Sequence, residues 1–309
     1  MKKLLIKGRD INALFIQPTR YCKGCDHSNT CYVKLHQSTD NQIHWLDQLE
    51  LFRKFYDDKE VSANQITISV DKLPKDEKLA NDMVCLVDSI LEYIHRDNRP
   101  KEERPEVHFT LQSEKDLKEY TKHGVLLWSM LSLISFSELQ YTEEEENYFR
   151  ALKAAGVIIN YNLMVNPRIS VQENINKIVF ALVSNYVDQI YLVLEKKPIG
   201  SAIDKATEKE NLLFFGRVIK ALPKTNKVFI DRCFQCYEDY DDTLGCSGGC
   251  HSNVSTFQVW PDGSVSGCAY AISPNTGPAT NAEGILTNIR DAQRYYDWER
   301  CYLSHLVDD

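Results

Sequence analysis

The sequence predicts an α/β protein: an incomplete (β/α)6 barrel of the TIM type, followed by a small C-terminal cysteine-rich β-hairpin plus helix extension. Three observations predict it. Short β-branched runs alternate with longer stretches of helical periodicity, the pattern of parallel strands joined by helical crossovers. The strand runs keep one apolar and one polar face, whereas a sheet covered on both sides reads as near-continuous apolar runs. The cysteines gather into two groups around this alternation: Cys22, Cys25 and Cys31 early, then Cys233, Cys236, Cys246, Cys250 and Cys268 late, with Cys85 and Cys301 standing apart.

Six strands are expected, at residues 13–19, 65–71, 107–112, 131–137, 157–165 and 189–195. Successive side chains of a strand point to opposite faces, so each run divides in two. Ile66, Ile68 and Val70 oppose Thr67, Ser69 and Asp71; Val107, Phe109 and Leu111 oppose His108, Thr110 and Gln112. Val157, Ile159, Tyr161, Leu163 and Val165 oppose Asn160 and Asn162, and Ile190, Leu192 and Leu194 oppose Gln189, Tyr191 and Glu195. The apolar face is expected to pack on helices. The polar face suits the concave side of an incomplete barrel that holds a polar ligand at the strand C-termini, where parallel sheets carry their sites. An open sheet with one solvated face is the plainer alternative.

Of the crossovers, the second is the clearest helix, with Leu79, Met83, Leu86, Val87, Ile90, Leu91 and Ile94 on one face and Cys85 as a packed thiol within it. Capping boxes mark helix starts at Thr142 with Glu145, Ser170 with Glu173, and Thr207 with Glu210. The acidic run Glu143 to Glu146 then belongs to a helix N-terminus, where it complements the macrodipole.

A chain of 309 residues has room for two domains, expected at 1–225 for the barrel and 226–309 for the extension. Lys and Arg number 36 against 44 Asp and Glu, a formal charge of -8, and no basic run offsets it. That argues against nucleic acid as a partner. With 43% hydrophobic and 26% charged residues the chain should fold as a globular protein. The longest apolar stretch, 125–136, is broken by Ser129 and Ser132 and falls short of the roughly 20 residues that cross a bilayer. Leu4, Leu5 and Ile6 are too few for a secretory signal. No membrane association and a cytoplasmic location are expected, and in that reducing compartment cysteines serve as metal ligands or buried thiols rather than as disulfides.

Directly after the first strand comes Pro18-Thr19-Arg20-Tyr21-Cys22-Lys23-Gly24-Cys25, then Cys31-Tyr32-Val33. Three thiolates on one loop can hold three irons of a four-iron cluster and leave the fourth open to a ligand, whereas a closed zinc site wants four ligands. The alternative is zinc, completed by a distant thiol or by His27 or His36. The strand, the Pro-Thr-x-x-Cys turn, the three-cysteine loop with its following aromatic, and the six-unit partial barrel together resemble the radical S-adenosylmethionine (radical SAM) superfamily along residues 10–222. Its usual Cys-x3-Cys-x2-Cys spacing is replaced here by Cys22-x2-Cys25-x5-Cys31, a longer loop.

The resemblance implies a 4Fe-4S cluster on Cys22, Cys25 and Cys31 whose open iron chelates the amino and carboxylate groups of S-adenosylmethionine. It also implies a reducing electron donor, cleavage of the sulfonium bond, and a 5'-deoxyadenosyl radical that abstracts a substrate hydrogen. Where relatives carry Gly-Gly-Glu-Pro at the end of the second strand, this chain reads Ser69-Val70-Asp71-Lys72-Leu73-Pro74, so Ser69 and Asp71 fall at the ammonium-binding positions. From the family's fourth and fifth strands, Ser135, Ser137, Asn160 and Asn162 carry over as ribose and carboxylate contacts. The catalytic acid or base stays unassigned; His108, Tyr191 and Glu195 project to the polar face as candidates, or as lining residues with hydrogen-bond partners.

After the last helix come Cys233-x2-Cys236 and Cys246-x3-Cys250, then two alternating runs around Pro261-Asp262-Gly263, a hairpin signal. Cys250-x12-Gly263-x4-Cys268 resembles the opening of the SPASM and twitch extensions of radical SAM enzymes. The segment Gly284-Ile285-Leu286-Thr287-Asn288-Ile289 is similar to their Leu-Gly-Asn-Ile stretch, with Thr287 in place of the glycine. Only Cys301 follows, so the resemblance implies the shorter twitch-like form with one auxiliary iron-sulfur cluster on Cys236, Cys246, Cys250 and Cys268, with Cys233 and Cys301 as alternates. A tetrahedral zinc ribbon is the alternative, since two close cysteine pairs are also a zinc signature.

The function expected is that of a radical SAM enzyme, of oxidoreductase or peptide-modifying type, acting on a peptide, protein or small-molecule substrate, with a peptide or protein side chain favoured. The chain reaches its first strand by Ala13, and no separate leader-binding module is expected before it. A non-catalytic zinc- or iron-sulfur-binding protein on a degenerate barrel is the second reading. A third is a variant that cleaves another carbon-sulfur bond of the sulfonium.

Overall fold

The computed structural model describes residues 11–18, 43–57, 63–113, 115–120, 125–138, 143–194, 205–230, 256–267 and 276–292. Along the chain these form β1 (Ile11–Ile16), α1 (Trp45–Asp57), β2 (Ala63–Asp71), α2 (Glu77–His95) and a 3-10 turn (Lys101–Glu103). There follow β3 (Glu106–Leu111), α3 (Asp116–Tyr120), α4 (Val125–Trp128), β4 (Leu133–Phe136), α5 (Glu143–Ala154) and β5 (Ile158–Val165). The chain continues through α6 (Val171–Val183), β6 (Gln189–Leu194), α7 (Lys205–Ala221), β7 (Val228–Ile230), β8 (Thr256–Val259), β9 (Val265–Ser266) and α8 (Ala282–Ala292). The fold is α/β, and the strands lie in one sheet of order β7-β6-β5-β4-β3-β2-β1-β8-β9. Every neighbouring pair is parallel except β8 and β9.

All six expected strands are present, but the sheet is wider than six. β7 pairs with β6, setting Ile190 opposite Val228 and Leu192 opposite Ile230. On the other side β8, the first strand of the expected hairpin, pairs parallel with β1, setting Leu14 opposite Phe257 and Ile16 opposite Val259. An edge strand leaves a row of backbone donors and acceptors unpaired, and a later strand that satisfies them is stabilised there whatever its distance in sequence. Local periodicity marks a run as a strand without saying which neighbour it will take.

Most strand ends lie within one or two residues of expectation, and two of the differences have a plain local cause. β1 stops at Ile16 rather than running to 19, because Pro18 has no N–H for a ladder. β4 starts at Leu133 rather than 131, because the turn closing α4 bonds Met130 N to Leu127 O at 3.0 Å and Leu131 N to Trp128 O at 3.2 Å.

The core lies between the apolar strand faces and the helices. Ile66, Ile68 and Val70, Val107, Phe109 and Leu111, and Ile159, Tyr161 and Val165 are all buried, as the period-two division expects. Against them pack Phe52 and Phe55 of α1, Leu86, Ile90 and Leu91 of α2, Phe149 of α5 and Phe215 of α7. Full burial of one such side chain is worth about 1.5–3 kcal/mol. Phe109 meets Trp128 edge-on with centroids 5.4 Å apart, and Phe136 meets Phe149 at 5.6 Å.

α2 begins where the Asp76 carboxylate accepts from Leu79 N at 2.8 Å. The box at α6 is complete: Glu173 N donates to Ser170 Oγ at 3.2 Å and Ser170 N donates to Glu173 Oε2 at 2.8 Å. α5 opens with the acidic run at Glu143, while Thr142 lies outside the described residues. The third box is not a helix start. α7 is already helical at Lys205, so Thr207 sits inside its first turn. Residues three apart share a helix face anywhere along a helix, and Thr-x-x-Glu alone cannot distinguish a cap from a first turn.

The Pro261-Asp262-Gly263 turn joins β8 to β9 as expected, with Gly263 at φ +77°. Gly263 N donates to Trp260 O and Trp260 N to Ser264 O, both at 2.9 Å. A side chain has no room here: a Cβ on Gly263 would lie 2.3 Å from Ala279 O. Asn288 of α8 fastens the turn, its Nδ2 donating to Gly263 O and Gly277 O at 2.8 Å.

Candidate functional site

Parallel strands present all their C-terminal ends on one edge of the sheet, and the segment 19–42, which carries Cys22, Cys25 and Cys31, departs from β1 at that edge. Register aligns a polar row across the neighbouring strands: Ser69 with Thr110, Thr110 with Ser135, Ser135 with Asn160, and Asn160 with Gln189. In a parallel ladder such partners project to the same face. One step nearer the strand N-termini stand Thr67 and His108, and one step nearer the C-termini Asn162 stands opposite Tyr191.

Much of this row is removed from water, with Ser69, Ser135 and Asn160 at 8%, 5% and 3% exposure. A buried polar atom without a partner costs about 1–3 kcal/mol, so each bond there carries information. Asn160 Nδ2 donates to Ser135 Oγ and to Asn162 Oδ1, both at 2.9 Å. Asn160 Oδ1 is buried and has no hydrogen-bond partner among the described residues. A buried acceptor whose amide nitrogen is already engaged by Ser135 and Asn162 is suited to a hydroxyl or N–H brought by a ligand.

At the tip of the same face, Gln17 follows β1 and is 1% exposed. Its Nε2 donates to Asp71 Oδ2 at 3.3 Å and to Ser69 O at 3.4 Å. Asp71 ends β2 beside an irregularity in the β2–β3 ladder and is left-handed, at φ +45°, the sole non-glycine residue of positive φ among the described residues. Such conformations cost a non-glycine residue about 1–3 kcal/mol and gather at binding sites. The Tyr120 hydroxyl donates to Val70 O just before it. Burial, then the charges of Asp71, Asp116 and Glu119, push that hydroxyl far up, so it remains a donor. Burial likewise raises the Asp116 carboxyl, against the pull of its hydrogen bonds from Ser113.

The roots of the cysteine segment are braced from two sides. Gln48 of α1, itself buried, donates through Nε2 to Pro18 O at 3.1 Å and to Ile43 O at 2.9 Å, the carbonyls flanking 19–42. The β8–β9 hairpin holds the same roots through Gln17 N to Val259 O at 2.9 Å and Ile43 N to Pro261 O at 2.8 Å.

Of the residues singled out from sequence, Ser135, Asn160 and Asn162 form one hydrogen-bonded chain, Ser69 stands in their row, and Asp71 is joined to Gln17. Ser137 is exposed beyond β4, and among the described residues its side chain bonds none of these. His108 Nε2 lies 3.3 Å from Glu106 Oε2, and that hydrogen bond lowers the Glu106 carboxyl. Glu195 and the cysteines Cys22, Cys25, Cys31, Cys233, Cys236, Cys246, Cys250, Cys268 and Cys301 lie outside the described residues. Cys85 is half-buried in α2. Sequence reasoning passed over Gln17 and Gln48, and it counted Thr110 on the polar face without giving it a role. Counting by twos from Ala13 through Phe15 places Gln17 on the polar face, so its signal was present; Gln48 carried none.

No protein-family model matches the chain, and no curated protein matches it. Among solved structures it is similar to SuiB of Streptococcus suis. SuiB bound to the precursor peptide SuiA is 13% identical, with a TM-score of 0.57, over 96% of this chain and 67% of SuiB. SuiB bound to S-adenosylmethionine is 12% identical, with a TM-score of 0.56, over 96% and 68%. The fold is therefore shared. Among the described residues, no helix is long and apolar enough to cross a membrane.

Proposed function

We propose that this chain is a radical SAM enzyme that modifies a side chain of a peptide or protein. Residues 1–225 act as the partial barrel and 226–309 as the twitch-like auxiliary unit, in a protein that works in the cytoplasm and takes electrons from a reducing partner. The observation that carries the reading is the buried polar row of Ser69, Ser135 and Asn160, in which Asn160 Oδ1 has no hydrogen-bond partner among the described residues, on the sheet face where Gln17 leads into the three-cysteine segment. Support comes also from the fold shared with SuiB, whose structures hold S-adenosylmethionine and a precursor peptide.

In this reading Cys22, Cys25 and Cys31 hold a 4Fe-4S cluster, and Cys236, Cys246, Cys250 and Cys268, with Cys233 or Cys301 as alternates, hold the auxiliary one. When bound, the first cluster and S-adenosylmethionine supply, at the cost of one electron from the donor, methionine and a 5'-deoxyadenosyl radical that takes a hydrogen from the substrate. The protein residues fit that ligand. Asn160 Oδ1 is an acceptor for a ribose hydroxyl, with Ser135 and Asn162 holding its amide in place. Asp71, with Ser69 two residues before it, offers a carboxylate to the ammonium, and Ser137, exposed just past β4, is a contact for the ligand's carboxylate. Burial of the row would keep water from the reacting centre.

The test is iron, zinc and sulfide content of protein purified without oxygen, with product analysis after dithionite and S-adenosylmethionine are added. About eight irons and eight sulfides per chain, with 5'-deoxyadenosine formed, are expected. Replacing Cys22, Cys25 and Cys31 by Ala should remove about half the iron and all of the product. About two zincs with no sulfide and no 5'-deoxyadenosine would refute the proposal.

A further inference from the structure

We infer that Gln17 is a positioning residue that aims the Asp71 carboxylate at the ligand's ammonium group, an inference that rests on the radical SAM reading above. The distinctive feature is the pairing itself. A fully buried amide at the tip of β1 donates to the one carboxylate at the tip of β2 and to the carbonyl two residues before it, at 3.3 and 3.4 Å. Gln17 thereby fixes both the Asp71 side chain and the backbone that leads into its left-handed turn.

The arrangement is not explained by packing alone. Asp71 accepts a bond while held at φ +45°, a conformation that an exposed loop would relax, and two neighbouring elements reinforce it: Tyr120 bonds Val70 O, and Gln112 N bonds Asp71 O at 3.5 Å. A carboxylate receives only hydrogen-bond donors, so a neutral amide donor orients it without cancelling its charge, whereas Lys or Arg in place of Gln17 would. The second oxygen is then aimed by a residue at the root of the cysteine segment. Cluster-bearing loop and ammonium acceptor are thus tied by one side chain.

Among the described residues, the charged or titratable groups near Asp71 include Lys72 beside it in sequence and Tyr120, whose hydroxyl feels the charges of Asp71, Asp116 and Glu119; Glu138 holds Gln112 through a 2.7 Å bond. β1 contributes the neutral Gln17. The experiment measures S-adenosylmethionine binding to anaerobically reconstituted protein by equilibrium dialysis from pH 5 to 8, with iron content determined alongside. Gln17→Leu should weaken binding about tenfold at unchanged iron content, the loss of a hydrogen bond to a charged group.

Gln17→Glu decides between aiming and packing. It keeps the shape but sets two carboxylates together, and they will share a proton whose pKa is raised into this range. Affinity should therefore rise with pH through a new step that the wild type lacks, and the step should vanish in Gln17→Glu/Asp71→Asn. If the wild type binds no S-adenosylmethionine, the radical SAM reading itself fails. If wild type binds, Asp71→Asn weakens it, and both Gln17 variants behave as wild type, the reading stands and the role of Gln17 is refuted. Should Gln17→Leu lose iron or fold poorly, a flat pH profile in Gln17→Glu still overturns the inference, and a new step still supports it.

Discussion

Gln48→Met tests the brace at the base of the cysteine segment. The substitution keeps length and volume while removing the amide that donates to Pro18 O at 3.1 Å and Ile43 O at 2.9 Å. Each such bond contributes about 0.5–1.5 kcal/mol net, so the two together contribute about 1–3 kcal/mol. Against this stands Gln48 Oε1, which is buried without a partner among the described residues, and whose removal returns about 1 kcal/mol. The expected net loss is about 0–2 kcal/mol, centred near 1. Equilibrium urea unfolding of wild type and variant, followed by tryptophan fluorescence, reads it as a lower midpoint at unchanged slope. Amide hydrogen exchange at Ile43, whose N–H is bonded to Pro261 O, should quicken as the root loosens. A variant as stable as wild type to within about 0.3 kcal/mol, with Ile43 equally protected, would refute the brace.

Three further outcomes are expected. Burial alone would raise the Asp97 carboxyl, but bonds from the Arg99 side chain and backbone and from Tyr56, with the Arg99 charge, hold it at about 2. A depressed acid stabilises the fold above its unfolded value of 3.8 and loses that contribution as pH falls from there toward 2, so acid unfolding between those values should be shallower in Asp97→Asn, which will also be less stable at neutral pH. Gly263→Ala should lower the melting temperature more than Gly156→Ala: both glycines have positive φ, +77° and +80°, but only at Gly263 does a Cβ strike backbone, and a cost of about 1 kcal/mol is expected for the strained φ alone. Asn160→Ala removes both the dry acceptor and the donor to Ser135 and Asn162, and S-adenosylmethionine affinity measured by dialysis should fall about tenfold while iron content holds.

Much of the sheet was legible because its information is local. Period-two alternation at Ile66, Ile68 and Val70, or at Val107, Phe109 and Leu111, needs only the next residue but one to be read, and these side chains are buried as that alternation requires. The same count put Asn160 on the polar face, where it bonds Ser135. The Ser170 box was legible for the same reason, its partners being three residues apart. Thr207 misled because its spacing is equally at home inside a helix. Gln48 was invisible: its two acceptors lie thirty and five residues away, and nothing in a helical Gln announces them.

By itself, the sequence determined which runs become strands and helices, which face of each is polar, and which cysteines are available as ligands, since all of these follow from covalent geometry and from the apolar or polar character of each side chain. The tertiary structure alone decided that β8 lies beside β1 and that one buried glutamine reaches from Pro18 to Ile43 while another meets Asp71. Those are long-range choices, made by whichever edge and whichever buried donor satisfy the most backbone and carboxylate groups at once. No local pattern encodes that competition.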